Sequence, residues 1–188
     1  MLPTESCVLV TGAAGFVGVN VVKYLAQRKR RVLALDFVRN DLLVADYLKG
    51  LDDYVEWVEV DLTDSTRVLS LASRYKLEGI IHAAIFTGVT NDAERVKPKE
   101  ILTTNLMGTI NTLELARVAN VRRYVYVSSG GVYGTASDLN EPVDKDSIQC
   151  GCPSDRSMTS MPCFLRALAL SGRLTVAEGV RPRTLSAR

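Results

Sequence analysis

The chain has 188 residues, 47% hydrophobic and 23% charged, the balance of a soluble globular protein with one domain or with one domain and part of a second. The formal net charge of +2 argues neither for nor against nucleic acid, but no basic stripe carries interleaved aromatics and no nucleic-acid partner is expected; the one dense basic run, Arg28-Lys29-Arg30-Arg31, reads as a solvated helix end beside the C-terminal dipole. No run reaches the about 18 apolar residues of a membrane span, and the N-terminus enters a strand almost at once without a charged-then-apolar leader, so the cytoplasm is expected. Of the four cysteines, Cys7 reads as a small core residue. Cys150, Cys152 and Cys163 cluster far from the lone His82, and no metal set is expected.

In chain order, residues 8–10 form an apolar run that reads as a fully buried strand. It breaks into Gly12, Ala13, Ala14, Gly15, Phe16, Val17 and Gly18, and a helical pattern follows over residues 16–27. Residues 31–36 read as a second strand, 41–51 as a short amphipathic helix and 54–60 as a third strand. Asp64 is placed to cap a helix over 65–75, and residues 79–84 read as the fourth strand. A polar loop around 88–92 leads to a long helix over 98–120, with Leu102, Leu106, Ile110, Leu113 and Val118 at helical spacing, and then to a fifth strand at 124–127. Apolar strands alternating with helices imply an α/β fold: a doubly wound parallel sheet of the Rossmann type in the order 3-2-1-4-5, incomplete after the fifth strand. A sixth strand near Leu174 is left open.

Ligands of such sheets bind beyond the carboxyl ends of the strands, and the polar residues of interest sit there. Strand, glycine turn and helix in that order give the turn a dinucleotide-binding meaning. Gly12 would allow the tight turn, Gly15 would admit a pyrophosphate to the backbone, and Gly18 would let the helix pack closely on the strand. The turn residues Ala14, Phe16 and Val17 complete a helix N-terminus that directs N–H groups and a positive dipole end at the phosphates. Asp36 closes the second strand, where a carboxylate accepts hydrogen bonds from ribose hydroxyls and repels a 2′-phosphate. NAD is therefore favoured over NADP, while Arg39 keeps the phosphate reading open, and an ordinary turn role for Asp36 stands beside it. Asp61 and the N–H of Leu62 would read an adenine edge, with helix capping as the alternative for Asp61.

The stretch TGAAGFVG, then Asp36, Val60-Asp61-Leu62-Thr63, His82-Ala83-Ala84, Asn105 with Gly108-Thr109, and Ser128-Ser129 with Val132-Tyr133-Gly134 come in order and in register. Together, over about residues 6–135, they resemble the extended short-chain dehydrogenase/reductase family, the NAD-dependent epimerases and dehydratases of nucleotide sugars. The resemblance implies a Rossmann core holding NAD tightly, a nucleotide-sugar-like small molecule as partner, and hydride transfer to and from a sugar hydroxyl carbon. It implies that Ala83 and Ala84 line the cofactor ribose and that Asn105 sits in the helix beside the active site. It makes Ser129 the catalytic residue that hydrogen-bonds the reacting hydroxyl, and Tyr133 a structural residue of its turn. The oligomeric state stays open.

The family's chemistry also needs Tyr-x-x-x-Lys some 20 to 30 residues after the serine, a spacing that puts both side chains on one helix face. The lysine lowers the phenol's pKa so that the tyrosinate takes the hydroxyl proton. None of the seven tyrosines here has a lysine four residues on; Met158 and Pro162 stand in the nearest analogous places. From residue 149 the chain carries six arginines, no lysine and no tyrosine. Expected domains are therefore a NAD(P)-binding Rossmann domain over 1–148 and a divergent tail over 149–188, with the family's substrate domain missing and residues 162–174 able to form a helix. His82 is expected to pack at its strand end. Three readings follow: an epimerase, dehydratase or reductase; a NAD-holding module without redox chemistry; or a truncated or frame-shifted product of a family gene.

Overall fold

Short runs of buried apolar residues build the sheet, and the computed structural model describes residues 5–38, 42–86 and 98–128 together with the strand at 174–177. The elements are β1 (Cys7–Thr11), α1 (Phe16–Gln27), β2 (Val32–Asp36), α2 (Leu42–Tyr47), a 3₁₀ turn at Asp52–Tyr54, β3 (Val55–Glu59), α3 (Ser65–Arg74), β4 (Leu77–His82), α4 (Pro98–Val118), β5 (Arg123–Val127) and β6 (Leu174–Ala177). The chain divides into two units, Met1–Val125 and Tyr126–Arg188. In the first, the strand order is β3-β2-β1-β4-β5; the second holds β6. β1 pairs in parallel with both β2 and β4, and β2 pairs in parallel with β3. This is the doubly wound Rossmann arrangement that the alternating pattern predicts.

β1 and β2 are central and buried on both faces, which is why they read as continuous apolar runs. On one face Val10, Val32 and Ala34 form a core with Val22 of α1 and with Val44 and Leu48 of the α2 region. The alternate residues Leu9, Leu33 and Leu35 are almost fully buried, like Val68, Leu71, Ile80 and Leu115. Each such side chain contributes roughly 1.5–3 kcal/mol by leaving water. β3 is the edge strand and only half-buried, so its pattern shows both apolar and charged residues.

Three elements depart most from the sequence reading. The helix expected over 41–51 ends at Tyr47. β4 starts at Leu77 and ends at His82, so Ala83 and Ala84 lie beyond the strand rather than in it. β3 stops at Glu59, and the Val60 N–H turns to the Asp36 carbonyl, 3.0 Å away. Both strands end where β1 and β2 end, and the freed backbone forms the rim of the site. Among the described residues, no helix is long and apolar enough to cross a membrane.

Candidate functional site: the rim at the carboxyl ends of the strands

β1 leaves the sheet through Gly12, whose φ of +65° is the left-handed region that side chains rarely adopt. A β-carbon there would also stand 2.6 Å from the Ala84 Cα. Gly18 is required for a different reason. A β-carbon at that position would lie 2.7 Å from the Gly12 carbonyl carbon and closer still to its oxygen. The contact is with the turn itself, not with the strand that the sequence reading named.

Gly15 differs from both. Its φ of −72° and ψ of 164° suit any residue, and among the described residues an added β-carbon would meet the Gly12 oxygen alone, at a close 3.2 Å. The backbone angles do not demand glycine here, and the space is tight toward the turn only. Gly15 is the N-cap of α1 and no side chain caps that helix. The amides of Phe16, Val17 and Gly18 are its first-turn donors, no acidic residue sits among them, and the Phe16 side chain is exposed. A helix start with no side-chain cap and no acidic residue in its first turn fits the charge and hydrogen-bonding needs of a pyrophosphate.

Asp36 ends β2 and belongs to the same turn. One carboxylate oxygen accepts from the Ala14 N–H at 2.9 Å and the other from the Phe37 N–H at 2.8 Å. Each oxygen keeps a further acceptor position, which suits ribose hydroxyls. Asp36 thus reaches back to the glycine turn as well as forward to its own strand end.

Asp61 accepts from both the N–H and the hydroxyl of Thr63, each at 2.8 Å. The N-cap of α3 is Asp64, which accepts from the Arg67 N–H at 3.0 Å, so capping is not the role of Asp61. Leu62 is buried, its carbonyl accepts from Asn111 Nδ2 at 2.8 Å, and Gly108 of α4 leaves its side chain room.

Ala83 and Ala84 follow β4 and lie over Gly12. The Ala84 N–H donates to Thr11 Oγ1 at 3.3 Å, and the Ala83 N–H to the Thr11 carbonyl at 3.3 Å. Asn105 of α4 holds Phe86 at both ends of one residue: its Oδ1 accepts from the Phe86 N–H at 2.7 Å and its Nδ2 donates to the Phe86 carbonyl at 3.0 Å. Between these contacts lies His82, whose Nδ1 is 2.7 Å from Thr11 Oγ1 and whose Nε2 is 3.2 Å from Thr109 Oγ1. Burial lowers the imidazole pKa to about 4, so the ring is neutral near pH 7.

Gly12, Ala14, Asp36, Ala83 and Ala84 thus come together around the turn, with Gly15, Phe16, Val17 and Gly18 at its helix start. Asp61, Leu62 and Asn105 join the rim through α4 and the loop after β3. Ser129 and Tyr133 lie outside the described residues, as do Arg39, the loop at 88–92, Cys150, Cys152 and Cys163, the places of Met158 and Pro162, and residues 162–173 of the helix expected over 162–174, whose last residue, Leu174, instead begins β6. Among the described residues no group of three or more His, Cys, Asp or Glu is placed to hold a metal. Sequence reasoning missed Thr11, Phe86 and Asn111, and left Thr109 without a role. A polar residue closing an otherwise apolar strand, and Asn and Thr four apart on one helix, are the signals that mark Thr11 and Thr109.

Comparison with known proteins agrees with this geometry. A family model for the NAD-dependent epimerase/dehydratase family matches residues 8–154. The UDP-glucose 4-epimerase of Caenorhabditis elegans is 33% identical over 144 residues, which cover 70% of this chain and 40% of that protein. A UDP-glucose 4-epimerase sequence of Klebsiella pneumoniae is 32% identical over 132 residues, covering 68% of this chain and 91% of that one. The crystal structure of UDP-glucose-4-epimerase from Stenotrophomonas maltophila with bound NAD and formylated UDP-arabinopyranose aligns with a TM-score of 0.73 at 26% identity, over 92% of this chain and 51% of that chain. The Thermus thermophilus UDP-glucose 4-epimerase complex with NAD gives 0.70 at 27% identity, over 92% of this chain and 53% of that chain. The chain thus spans about half the length of these solved relatives. Sheet order, glycine turn and matched family model converge: the chain belongs to the NAD-dependent epimerase/dehydratase family.

Proposed function

We propose that this chain binds NAD at the glycine turn, as the cofactor-holding part of a UDP-glucose 4-epimerase-like protein, and that it is impaired in the family's hydride chemistry. The observation that carries the binding reading is the uncapped start of α1 beside Gly15, whose backbone has no need of glycine. Residues 16–18 would meet the pyrophosphate, Asp36 the adenosine ribose, Asp61 and Leu62 the adenine, and Ala83, Ala84 and Asn105 the nicotinamide half. The Asp36 carboxylate favours NAD over the 2′-phosphorylated cofactor. When bound, NAD supplies hydride acceptance and return at a sugar hydroxyl carbon; Ser129 would orient that hydroxyl. Domain limits of 1–148 and 149–188 are part of the same proposal.

Impairment rests on the lack of any Tyr-x-x-x-Lys in the sequence. Without a base for the hydroxyl proton the rate falls by roughly 10²–10⁴-fold. That absence also favours a second reading, a NAD-holding module without turnover, and the composition of residues 149–188 keeps a frame-shifted product in play. Calorimetry with NAD and NADP tests binding. Gly15→Val should lose the NAD heat, because its side chain takes the pyrophosphate's place at the helix start, at a modest thermal cost from the 3.2 Å approach of its β-carbon to the Gly12 oxygen. No NAD affinity in the parent protein, or a preference for NADP, would overturn the reading. Turnover of UDP-glucose at about 1 s⁻¹ or faster, an ordinary enzyme rate, would refute the impairment. An intact Tyr-x-x-x-Lys in another frame of the encoding DNA would decide for the frame shift.

A further inference from the structure

We propose that His82 is a positioning residue: as a fixed neutral bridge between Thr11 and Thr109, it sets the rim at residues 83–86 against the Gly12 turn. The inference deepens the NAD reading, since that rim would line the cofactor, but its geometry stands on the protein alone.

Donor and acceptor accounting gives the bridge one direction. With the Thr109 hydroxyl donating to the Asn105 carbonyl at 2.7 Å, its oxygen accepts, and the tautomer that we assign to match it carries the proton on His82 Nε2. Nδ1 then carries the lone pair and accepts from the Thr11 hydroxyl, 2.7 Å away. The Thr11 oxygen in turn accepts the Ala84 N–H. The bonds run Ala84 N–H to Thr11, Thr11 to His82, His82 to Thr109, and Thr109 to the Asn105 backbone. Asn105 in turn grips Phe86 on both sides with its side chain. A single imidazole therefore couples the end of β1 to α4, and through both to the two ends of the rim. Thr11, His82 and Thr109 are all at most 2% exposed, so water cannot replace a lost partner.

No other residue type reproduces the bridge at full length with one acceptor and one donor on opposite sides of a rigid ring. Gln has both functions on a shorter, flexible stem; Phe has the ring and neither function. Precision matters at this point because Gly12 leaves less than 3 Å between a would-be β-carbon and Ala84. A small shift of residues 83–86 would close or open the turn.

The chain has one histidine, so its imidazole ¹⁵N signals are unambiguous. In the unliganded full chain at pH 7.5 they should report the neutral form with Nε2 protonated. Amide exchange in the same sample should show Ala84 protected. His82→Phe should speed exchange at Ala84 by about tenfold or more, the loss of a buried hydrogen bond, while the amides of Leu33 and Leu35 keep theirs. Thr109→Val should act in the same direction, and Thr109→Ser should restore the protection. In NAD-binding protein, His82→Phe and Thr109→Val should each weaken NAD affinity about tenfold, and Thr109→Ser should not. A wild-type ring protonated at Nδ1 would overturn the proposal. So would Thr109→Val protein with wild-type exchange at Ala84, a test that holds even if His82→Phe does not fold. Failure of the parent protein to bind NAD would strike the functional reading alone, because the exchange and ¹⁵N measurements need no ligand.

Discussion

The two ends of the first unit's sheet are held by different physics. At the amino ends of the strands, charge dominates: Arg31 lies 3.3 Å from Glu5 and 3.9 Å from Glu56, and Arg30 pairs with Glu78. The Tyr75 hydroxyl donates to Glu56 at 2.6 Å, and burial together with that bond raises its pKa to about 12. Cys7 is buried beside them, and its thiol is pushed up to about 11, chiefly by desolvation. At the carboxyl ends, hydroxyls, an imidazole and an amide side chain, together with the carboxylates of Asp36 and Asp61, hold backbone N–H and C=O groups at fixed places, and no ion pair is among these contacts. Exposed ion pairs tolerate side-chain movement and are screened by salt. Buried neutral bonds tolerate little, and their loss leaves polar groups without water. The end proposed to meet the cofactor is built mainly from the second kind.

Breaking the turn should have the largest effect. Gly18→Ala forces a methyl against the Gly12 carbonyl, so a loss of about 3 kcal/mol or more is expected in urea unfolding, with NAD heat lost as well. Gly15→Val, by contrast, separates binding from folding.

Acid should discriminate between the ends next. The His82 pKa is lowered from about 6.5 to about 4 on folding, so below pH 6.5 the unfolded chain binds a proton that the folded one does not. Stability is therefore complete above pH 6.5, falls by about 1.4 kcal/mol per pH unit on the way down, and stops falling below about pH 4. Between pH 6.5 and 5 the expected loss is about 2 kcal/mol. His82→Gln should flatten the slope in that window; an unchanged slope would assign the acid sensitivity elsewhere.

A smaller effect is expected at Asp36. Asp36→Asn removes the charge from a carboxylate that accepts the Ala14 and Phe37 amides, at a cost of about 1.5 kcal/mol. Its NAD affinity should fall and its discrimination against NADP should shrink. The smallest effect belongs to the opposite end. Arg31→Ala should cost about 1 kcal/mol or less, diminish in high salt and leave NAD affinity unchanged. A loss as large as that of Gly18→Ala would erase the contrast between the two ends.

Much of this fold was legible in the residues because its signals are local. The apolar runs of β1 and β2 announce burial on both faces, the glycines at 12, 15 and 18 announce a turn between strand and helix, and Asp64 announces the start of α3. β4 was harder, since Ala83 and Ala84 are as apolar as strand residues, and only the ladder with β1 shows that pairing stops at His82. The candidate site was legible as residue types at strand ends and illegible as bonds. Asp61 looks like a cap until Asp64 is seen accepting the Arg67 amide.

By itself the sequence determined the order of strands and helices, the place of the phosphate turn and the membership of the chain in its family, because periodicity, glycine spacing and motif order act over a few residues. Only the tertiary structure decided which groups meet. Asp36 reaches Ala14 across 22 residues, Thr109 reaches His82 across 27, and Thr11 reaches His82 across 71. Hydrogen bonds act within about 3 Å and depend on direction, and no local pattern records a partner that parallel pairing and helix packing bring in from so far along the chain.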